Sequence, residues 1–418
     1  MTKHLTYIAI HLLVLSSILS CTSGQNIKDQ EFVNAKVYPG ITCIQDTGIT
    51  YSLYLPPQYD HTKPCPLLIV FDPHGDGLLP VNLFSSGAAK SGFILAGSNN
   101  SKNGMSIEQT TAVYRSILAD LTSRFNIEKK AIYLGGFSGG SRVAGAAAIS
   151  EGNVAGIVGC GAGLPNTSQK PVKKFSYLAV VGNQDFNFAE MKQLDESLEQ
   201  ASYQHHLLVF DGIHQWPTEE VIPEIFTWLR FDAMRQQAFP PDRAEIDAFI
   251  EKTDKEATSK AREGKPYQQQ EIYIMMLHYL QGLTDVAPLQ SEIGRLSDDK
   301  DVAAFREKQN QLLSIEQDLQ RRYAPEIQQK SIAWWTQEAR MLHSLSLKPG
   351  DKEMSAVYKR VLGYLSLSCY MYSTGALKQG NLSEAEKYID IYRLVDPSNS
   401  EHRYLAAKVA ALTNKPDE

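Results

Sequence analysis

A glycine-rich pentapeptide at residues 136–140, Gly-Phe-Ser-Gly-Gly, constrains the fold of this chain more than any other stretch. It follows an apolar run at residues 131–134 and precedes small residues at 143–149, so its context is strand, turn and helix. Glycines on both sides of Ser138 leave no Cβ to collide where the strand and the helix cross closely. The pattern therefore predicts a sharp turn that holds the Ser138 hydroxyl out at the edge of a sheet.

The turn lies in a region, residues 36–235, where apolar runs alternate with amphipathic stretches. Some runs, such as residues 67–71, are continuously apolar, which is typical of strands buried on both faces. Apolar residues recur at helical spacing over residues 106–125, which predicts an amphipathic helix. Strands that alternate with helices in this way favour an α/β fold with a mainly parallel sheet covered on both faces.

This half of the chain resembles the α/β-hydrolase family, and within it the esterases of the dienelactone-hydrolase, polyhydroxybutyrate-depolymerase and feruloyl-esterase kind. The resemblance is carried by Tyr-Ser-Leu-Tyr-Leu-Pro at residues 51–56, by His74-Gly75 after a buried strand, by the glycine-rich turn and by two later loops. The family implies a doubly covered sheet and a nucleophile elbow at Ser138, followed in chain order by an acid and then a histidine. The alternative is a glycine-rich turn without function, because G-x-S-x-G recurs by chance.

The two later loops supply the acid and the histidine that the resemblance implies. Asp185 follows one apolar run and His214 follows the next. The alternative for Asp185 is a helix cap that accepts backbone N–H bonds, and the alternative for His214 is a histidine of the surface or the core. His205 and His206 precede the second run, so they are expected at the opposite edge of a parallel sheet, away from Ser138.

An attacked carbonyl becomes an oxyanion that needs preorganised hydrogen-bond donors. The backbone N–H of Gly139, directly after the serine, is the first predicted donor. The resemblance implies a second donor in the loop after the third strand, where we nominate the N–H of Asp76; the alternative is a plain glycine-rich turn. His74, Phe137 and Trp216 are candidates for the substrate pocket. No cofactor or metal ion is predicted, because no further ligand spacing accompanies this loop.

The first twenty residues have the pattern of an export signal. An apolar run at residues 7–19 is too short to span a membrane as a mature helix and is followed by small residues. The Ile-Leu-Ser-Cys that ends at Cys21 resembles a bacterial lipobox, which implies that residues 1–20 are removed and that Cys21 is lipidated; a plain secretory signal is the alternative. We expect residues 21–35 to be a tether from the outer membrane of a bacterium. No acidic run follows Cys21, so the protein is expected to face the periplasm.

Charge and cysteine usage narrow the partners and the redox chemistry. A net charge of −6 without a long basic run argues against nucleic acid. Cys43 and Cys65 flank the first strands closely enough to be a candidate disulfide pair in an exported protein. Cys160 and Cys369 lie in apolar surroundings, which is typical of buried free thiols.

The length that remains after the signal exceeds one typical core and predicts two domains, a hydrolase domain at 36–238 and a helical domain at 239–418. Phe-Pro-Pro-Asp at residues 239–242 marks the boundary. No convincing strand follows it, and breaks at Gly-Lys-Pro, at Pro325 and at Pro-Gly separate the predicted helices. These are expected at 243–262, 266–282, 287–322, 324–346, 351–379, 382–395 and 399–413.

Residues 376–397 resemble a tetratricopeptide repeat, through a turn at Gly380, a small Ala385 at the helix crossing and a closing Pro397. A single repeat cannot stand alone, so the flanking helices are expected to stack on it. Only residues 164–175 separate two strands where many α/β-hydrolases insert a lid. We therefore expect the helical domain to pack on the rim above Ser138, as the missing lid or as a substrate platform. The alternative is that it lies on the far side and binds a partner protein.

Together these patterns predict a membrane-anchored serine hydrolase that cleaves a small-molecule or glycan-linked carboxylic ester through a Ser-His-Asp triad and an acyl-enzyme. Two alternatives stay open. One is a binding or assembly module in which the helical domain recruits a partner. The other is a peptidase or acyl transferase on the same triad. The order of Ser138, Asp185 and His214 favours an enzyme, because a degenerate scaffold has no reason to keep all three.

Overall fold

The computed structural model describes residues 31–413, and in that range the strands form one eight-stranded sheet. Cys21 and the predicted signal lie outside the described residues. Each predicted apolar run of the first half forms a strand. The strands are β1 (Val37–Thr42), β2 (Thr50–Tyr54), β3 (Cys65–Phe71), β4 (Ile94–Ser98), β5 (Ile127–Phe137), β6 (Gly156–Cys160), β7 (Ser176–Gly182) and β8 (His205–Phe210).

The order across the sheet is β1-β2-β4-β3-β5-β6-β7-β8. Strand β2 pairs antiparallel with β1 and β4, and every later pairing is parallel. Strands β3, β4, β6 and β7 consist wholly of buried residues, which explains why their sequences are continuously apolar. This sheet, with an elbow between β5 and the next helix, confirms the predicted α/β-hydrolase fold class. Because parallel strands end at the same edge, the loops after β3, β5, β7 and β8 lie along one side of the sheet.

Five helices accompany the sheet, and the second of them matches the amphipathic stretch predicted at residues 106–125. That helix begins with a capping box, in which Ser106 and Gln109 exchange side-chain to backbone hydrogen bonds. The helices are α1 (Leu78–Ser91), α2 (Ile107–Arg124), α3 (Gly139–Glu151), α4 (Phe188–Gln200) and α5 (Ile222–Arg235).

The described part of the second half, residues 243–413, is helical and contains no sheet strand, which confirms the helical region that was predicted. Its helices are α6 (Arg243–Arg262), α7 (Pro266–Leu280), α8 (Ala287–Ser297), α9 (Lys300–Gln329), α10 (Ile332–Ser346), α11 (Lys352–Lys378), α12 (Leu382–Val395) and α13 (Glu401–Leu412).

Two predicted helix boundaries in this region are wrong. The predicted helix at 287–322 is divided, because the Asp299 side chain accepts backbone N–H bonds and starts α9. Pro325 does not end a helix but lies inside α9, which continues to Gln329. The real break is made by Ser331, whose side chain caps α10.

The described residues of the helical region contribute to two buried clusters. Ile246, Tyr273 and Leu296, from α6, α7 and α8, belong to the same buried cluster as the sheet and α5. Helices α9 to α13 surround a second cluster, with Tyr323 and Trp335 among its fully buried side chains. The first three helices are therefore an extension of the hydrolase core, and the remaining five have a core of their own.

The candidate disulfide pair is wrong, because Cys43 and Cys65 are both buried free thiols. The Cys65 thiol instead donates to the Gly92 carbonyl oxygen at 3.2 Å, and burial raises its pKa to about 12. Cys160 and Cys369 are buried free thiols, as predicted. Among residues 31–413 no helix combines the length and the apolar character that crossing a bilayer requires.

Candidate active site

Ser138 lies at the junction of β5 and α3 with φ 52° and ψ −118°, a backbone conformation that costs about 1–3 kcal/mol for a residue with a Cβ. Two glycines make the turn possible. A Cβ on Gly136 would lie 2.3 Å from the Gly140 carbonyl carbon, and a Cβ on Gly140 would lie 1.9 Å from the Phe71 carbonyl oxygen. The N–H of Ser138 donates to the Cys160 carbonyl oxygen at 2.8 Å. The glycine-rich sequence therefore folds into the strained elbow because no larger residue fits beside it.

Backbone hydrogen bonds hold the loop after β7 against the loop after β8. Asn183 N–H donates to the Phe210 carbonyl oxygen at 2.8 Å, and Gln184 N–H donates to the Gly212 carbonyl oxygen at 2.9 Å. A Cβ on Gly182 would lie 2.3 Å from that same Gly212 oxygen, so only glycine allows this approach. The two loops are thus fixed to each other by main chain.

The predicted acid, histidine and serine meet above these loops. His214 Nδ1 lies 2.9 Å from both carboxylate oxygens of Asp185, and His214 Nε2 lies 3.0 Å from Ser138 Oγ. The Asp185 side chain is fully buried, whereas that of His214 is 19% exposed. Asp185 also accepts the Asn187 N–H at 2.8 Å, so the turn toward α4 orients the carboxylate. An aligned serine, imidazole and carboxylate can transfer the hydroxyl proton to Nε2 while the carboxylate holds Nδ1–H.

Two phenyl rings lie against the His214 imidazole. The Phe137 centroid is 4.6 Å from the imidazole centroid, with 41° between the planes, and the Phe186 centroid is 4.1 Å away, with 35° between the planes. Phe137 also contacts Trp216 at 5.5 Å. Of the predicted pocket residues, Phe137 therefore lies beside the candidate catalytic histidine, and Trp216 lies against Phe137.

Asp72, the residue after β3, links the other predicted pocket residues. Its carboxylate accepts the Trp216 indole N–H at 3.1 Å and the His74 backbone N–H at 2.7 Å. The His74 imidazole itself is 84% exposed, with Nδ1 3.4 Å from Asp72. The loop after β3 is thus tied to the loop after β8. In the described part of the chain, no three His, Cys, Asp or Glu side chains are grouped as a metal site would need.

The nominated oxyanion donors lie in the first turn of α3 and in the loop after β3. Gly139 N–H is at the start of α3, where backbone donors have no acceptor within the helix. Strands β3 and β5 pair with Phe71 opposite Gly136, so the loop that carries Asp76 starts beside the elbow. The carboxylate of Asp76 accepts two N–H groups of the first turn of α1, at 3.1 and 3.2 Å. This contact explains a carboxylate at this position, because it accepts N–H groups that have no partner within the helix.

Residues near the site were missed by the sequence analysis. Phe186 contacts His214, and the Asn103 side chain lies over Gly139, where a Cβ would come within 1.8 Å of its Oδ1. Phe186 is adjacent to Asp185 in sequence, but nothing local indicates where its ring points. Helix α11, far along the chain, contacts the loop after β7, which carries Asp185 and Phe186, through Arg360. No local pattern could have predicted that contact.

No family model matches the chain, and no curated protein sequence matches it. Solved structures with a similar fold include the S-formylglutathione hydrolase FrmB of Staphylococcus aureus, at 13% identity and a TM-score of 0.37, over 44% of this chain and 90% of that one. The feruloyl esterase module of Clostridium thermocellum is similar at 13% identity and a TM-score of 0.39, over 48% and 90%. Thermogutta terrifontis esterase 2 is similar at 11% identity and a TM-score of 0.38, over 51% and 99%.

These similarities concern the fold of about half of the chain. The α/β-hydrolase architecture rests on this chain's own strand order and elbow. The reaction has to be argued from the side chains.

Proposed function

We propose that the protein is a serine hydrolase that cleaves carboxylic esters. The observation that carries this proposal is the continuous hydrogen-bonded series from Ser138 Oγ through His214 to Asp185, with both links at or below 3.0 Å. A serine hydroxyl is a weak nucleophile at neutral pH and needs a base that removes its proton as it attacks. The partly exposed imidazole above a fully buried carboxylate meets that need.

In the proposed reaction, Ser138 Oγ attacks the carbonyl carbon of the ester and its proton passes to His214 Nε2. The carbonyl electron pair moves to the oxygen, which is stabilised by the N–H of Gly139 and, as we propose, the N–H of Asp76. When the tetrahedral intermediate collapses, the bond to the alkoxy oxygen breaks and His214 protonates the leaving alcohol. Water then attacks the acyl-enzyme by the same steps and releases the acid.

The experiment is hydrolysis of a panel of p-nitrophenyl esters, sugar esters and peptide anilides by a soluble form that lacks residues 1–21. We expect ester hydrolysis by the wild type and none by Ser138→Ala. A fluorophosphonate probe should label the wild type alone. Labelling of Ser138→Ala, or turnover of anilides in preference to every ester, would contradict the proposal.

We further propose that the protein is exported, lipidated at Cys21 and held at the outer membrane facing the periplasm. The support is the sequence of the first residues, which lie outside the described range. Incorporation of a radiolabelled fatty acid that is lost in Cys21→Ala would support the anchor. Protease treatment of intact cells should leave the protein whole, and cleavage would indicate surface display.

A further inference from the structure

Helix α11 contacts the loop that carries Asp185 through two adjacent residues. Lys359 Nζ donates to Gln184 Oε1 at 3.0 Å, and the Arg360 guanidinium donates to the Asn183 carbonyl oxygen at 2.7 Å. These two acceptors precede the carboxylate directly in sequence. The helical region is therefore bonded to the main chain of the acid loop.

Arg360 is a rigid part of this contact, because it is buried and paired. Its guanidinium donates to Glu316 of α9 at 2.7 Å, and both side chains are almost fully buried. The same guanidinium lies 4.6 Å from the centre of the Phe188 ring at the start of α4. A buried charge that has a hydrogen-bonded partner is costly to displace. The acid loop is thus attached to a fixed point of the helical region.

One turn further along, Gly363 lies against Phe186. A Cβ at position 363 would be 3.2 Å from Phe186 Cδ1 and 3.3 Å from Phe186 Cβ, closer than most carbon contacts. Phe186 also contacts the His214 imidazole, with 4.1 Å between the ring centroids. The absence of a side chain at position 363 therefore sets how closely the phenyl ring and α11 can pack.

His214 needs such support because its own loop is exposed. Asp211, Ile213 and Gln215, its neighbours in that loop, are exposed. The imidazole must face Asp185 with Nδ1 and Ser138 with Nε2 at the same time, and its last torsion has a broad preference. The rings of Phe186 and Phe137 both contact the His214 imidazole and limit its rotation.

We propose that Phe186 is a positioning residue for His214 and that α11 holds it in place, so that the helical region completes the active site. This inference rests on the proposed serine hydrolase function and adds a role for residues 352–378. It differs from a lid, because the contact acts through the acid loop and the histidine rather than by covering substrate.

The test compares two substitutions in α11 of the full soluble protein, Gly363→Val and the matched control Gly375→Val. Both replace a glycine inside the same helix, and nothing lies within 4 Å of a Cβ at position 375. A β-branched side chain at position 363 cannot turn away from Phe186. We expect kcat for a p-nitrophenyl ester to fall by roughly tenfold to a hundredfold in Gly363→Val, with KM changed by less than about threefold, since small displacements of catalytic groups have effects of this size. The control should keep the wild-type kcat. Equal kcat values for the two variants would overturn the inference.

If Gly363→Val fails to fold, Phe186→Leu and Phe186→Tyr replace it. Leucine keeps the apolar volume without a ring, so kcat should be lower than in the wild type. Tyrosine keeps the ring, so kcat should stay near the wild-type value. A wild-type kcat in Phe186→Leu would overturn the inference. The His214 Nδ1–H proton resonance, recorded in a Ser138→Ala background, reports the bond to Asp185 without any turnover. It should weaken or shift in Phe186→Leu. If the wild type has no esterase activity but the resonance changes in Phe186→Leu, the proposed function fails and the positioning role of Phe186 stands. An unchanged resonance in Phe186→Leu would contradict the positioning role whatever the activity.

Discussion

Two histidine sites lie at opposite ends of the same pair of strands, β7 and β8. At the carboxyl ends, His214 is partly exposed and contacts a buried carboxylate and a hydroxyl. At the amino ends, His205 and His206 begin β8 and are buried against His278 of α7. The residue type is the same at both ends, so the difference lies in the partners and in access to solvent. A histidine with a nucleophile on one nitrogen and room for a substrate can carry out catalysis, whereas a histidine enclosed by aromatic rings and another imidazole stabilises an interface.

The largest expected effect is a difference in kcat between substitutions at the carboxyl ends and at the amino ends of β7 and β8. His214→Gln removes the base and should lower kcat on the order of 10⁶-fold, as loss of a triad base does in serine hydrolases. His206→Gln serves as the comparison, because it changes a histidine of the same strand pair far from Ser138. It should keep kcat near the wild-type value in protein that is folded by circular dichroism. Equal losses of kcat in both variants would mean that the amino-end cluster, which comprises His205, His206 and His278, takes part in catalysis.

Asp185→Asn is expected to have the second-largest effect, a loss of about 10⁴-fold in kcat, because an amide can donate to Nδ1 and fix the wrong tautomer of His214. The geometry of the loop should persist, since Asn can still accept the Asn187 N–H that Asp185 accepts now. Steady-state kinetics on an activated ester measure the loss. A kcat within tenfold of the wild type would show that the carboxylate is a cap alone.

Much of the catalytic end was predictable from local sequence, and the reasons are physical. The elbow at Ser138 depends on glycines that lie within two residues of it, and the order of serine, acid and histidine follows from strands that end at one edge. Strand β1 was not predicted, because Pro39 and Gly40 resemble a turn; the edge strand accommodates them by a register shift between Tyr38 and Ile41.

The contacts between distant segments could not be predicted. Phe186 lies against Gly363 of α11, and His206 contacts His278, and neither partner is marked by spacing or composition. Pro325 was expected to end a helix on local grounds, but it lies inside α9. Packing against a remote segment is a property of the folded chain, so local propensity carries no record of it.

The amino-end cluster predicts a pH effect on stability. His206 Nδ1 lies 3.2 Å from His278 Nδ1, so one imidazole must accept while the other donates. Burial, together with the charge of His278, lowers the pKa of His206 to about 3, and burial also lowers the pKa of His278. Below pH 6.5 the unfolded chain therefore binds more protons than the folded one at these sites. For His206, stability should fall by about 1.4 kcal/mol per pH unit below pH 6.5, and the lowered pKa of His278 acts in the same direction.

Denaturant unfolding at pH 7.5 and pH 5 measures this loss, which is about 2 kcal/mol for His206 alone at pH 5. His206→Gln should be less dependent on pH over this range, because it removes one titrating group. An unchanged pH dependence in this variant would show that acid acts elsewhere in the protein.

The smallest expected effect has the opposite sign and comes from the neighbouring residue in the same strand. His205 Nδ1 lies 3.0 Å from the Tyr203 carbonyl oxygen, so it carries a proton there, and Nε2 lies 3.3 Å from Asp195 Oδ1. That buried carboxylate oxygen has no other hydrogen-bond donor among the described residues. A neutral imidazole would therefore face a carboxylate with a lone pair. Burial lowers the pKa of His205, but the bonds to Asp195 and Tyr203 outweigh it and raise the pKa above its usual value.

Because the charged form of His205 is favoured in the fold, its contribution to stability is fully present below about pH 6.5 and is lost as the pH rises through the raised pKa. His205→Gln should thus cost about 1 kcal/mol at pH 5 and less at pH 8, the reverse of the trend for His206. The two neighbours partly compensate each other, which predicts that His205→Gln makes the acid-induced loss of the whole protein steeper. Unfolding curves at both pH values decide the point. A cost that is larger at pH 8 than at pH 5 would contradict a raised pKa for His205.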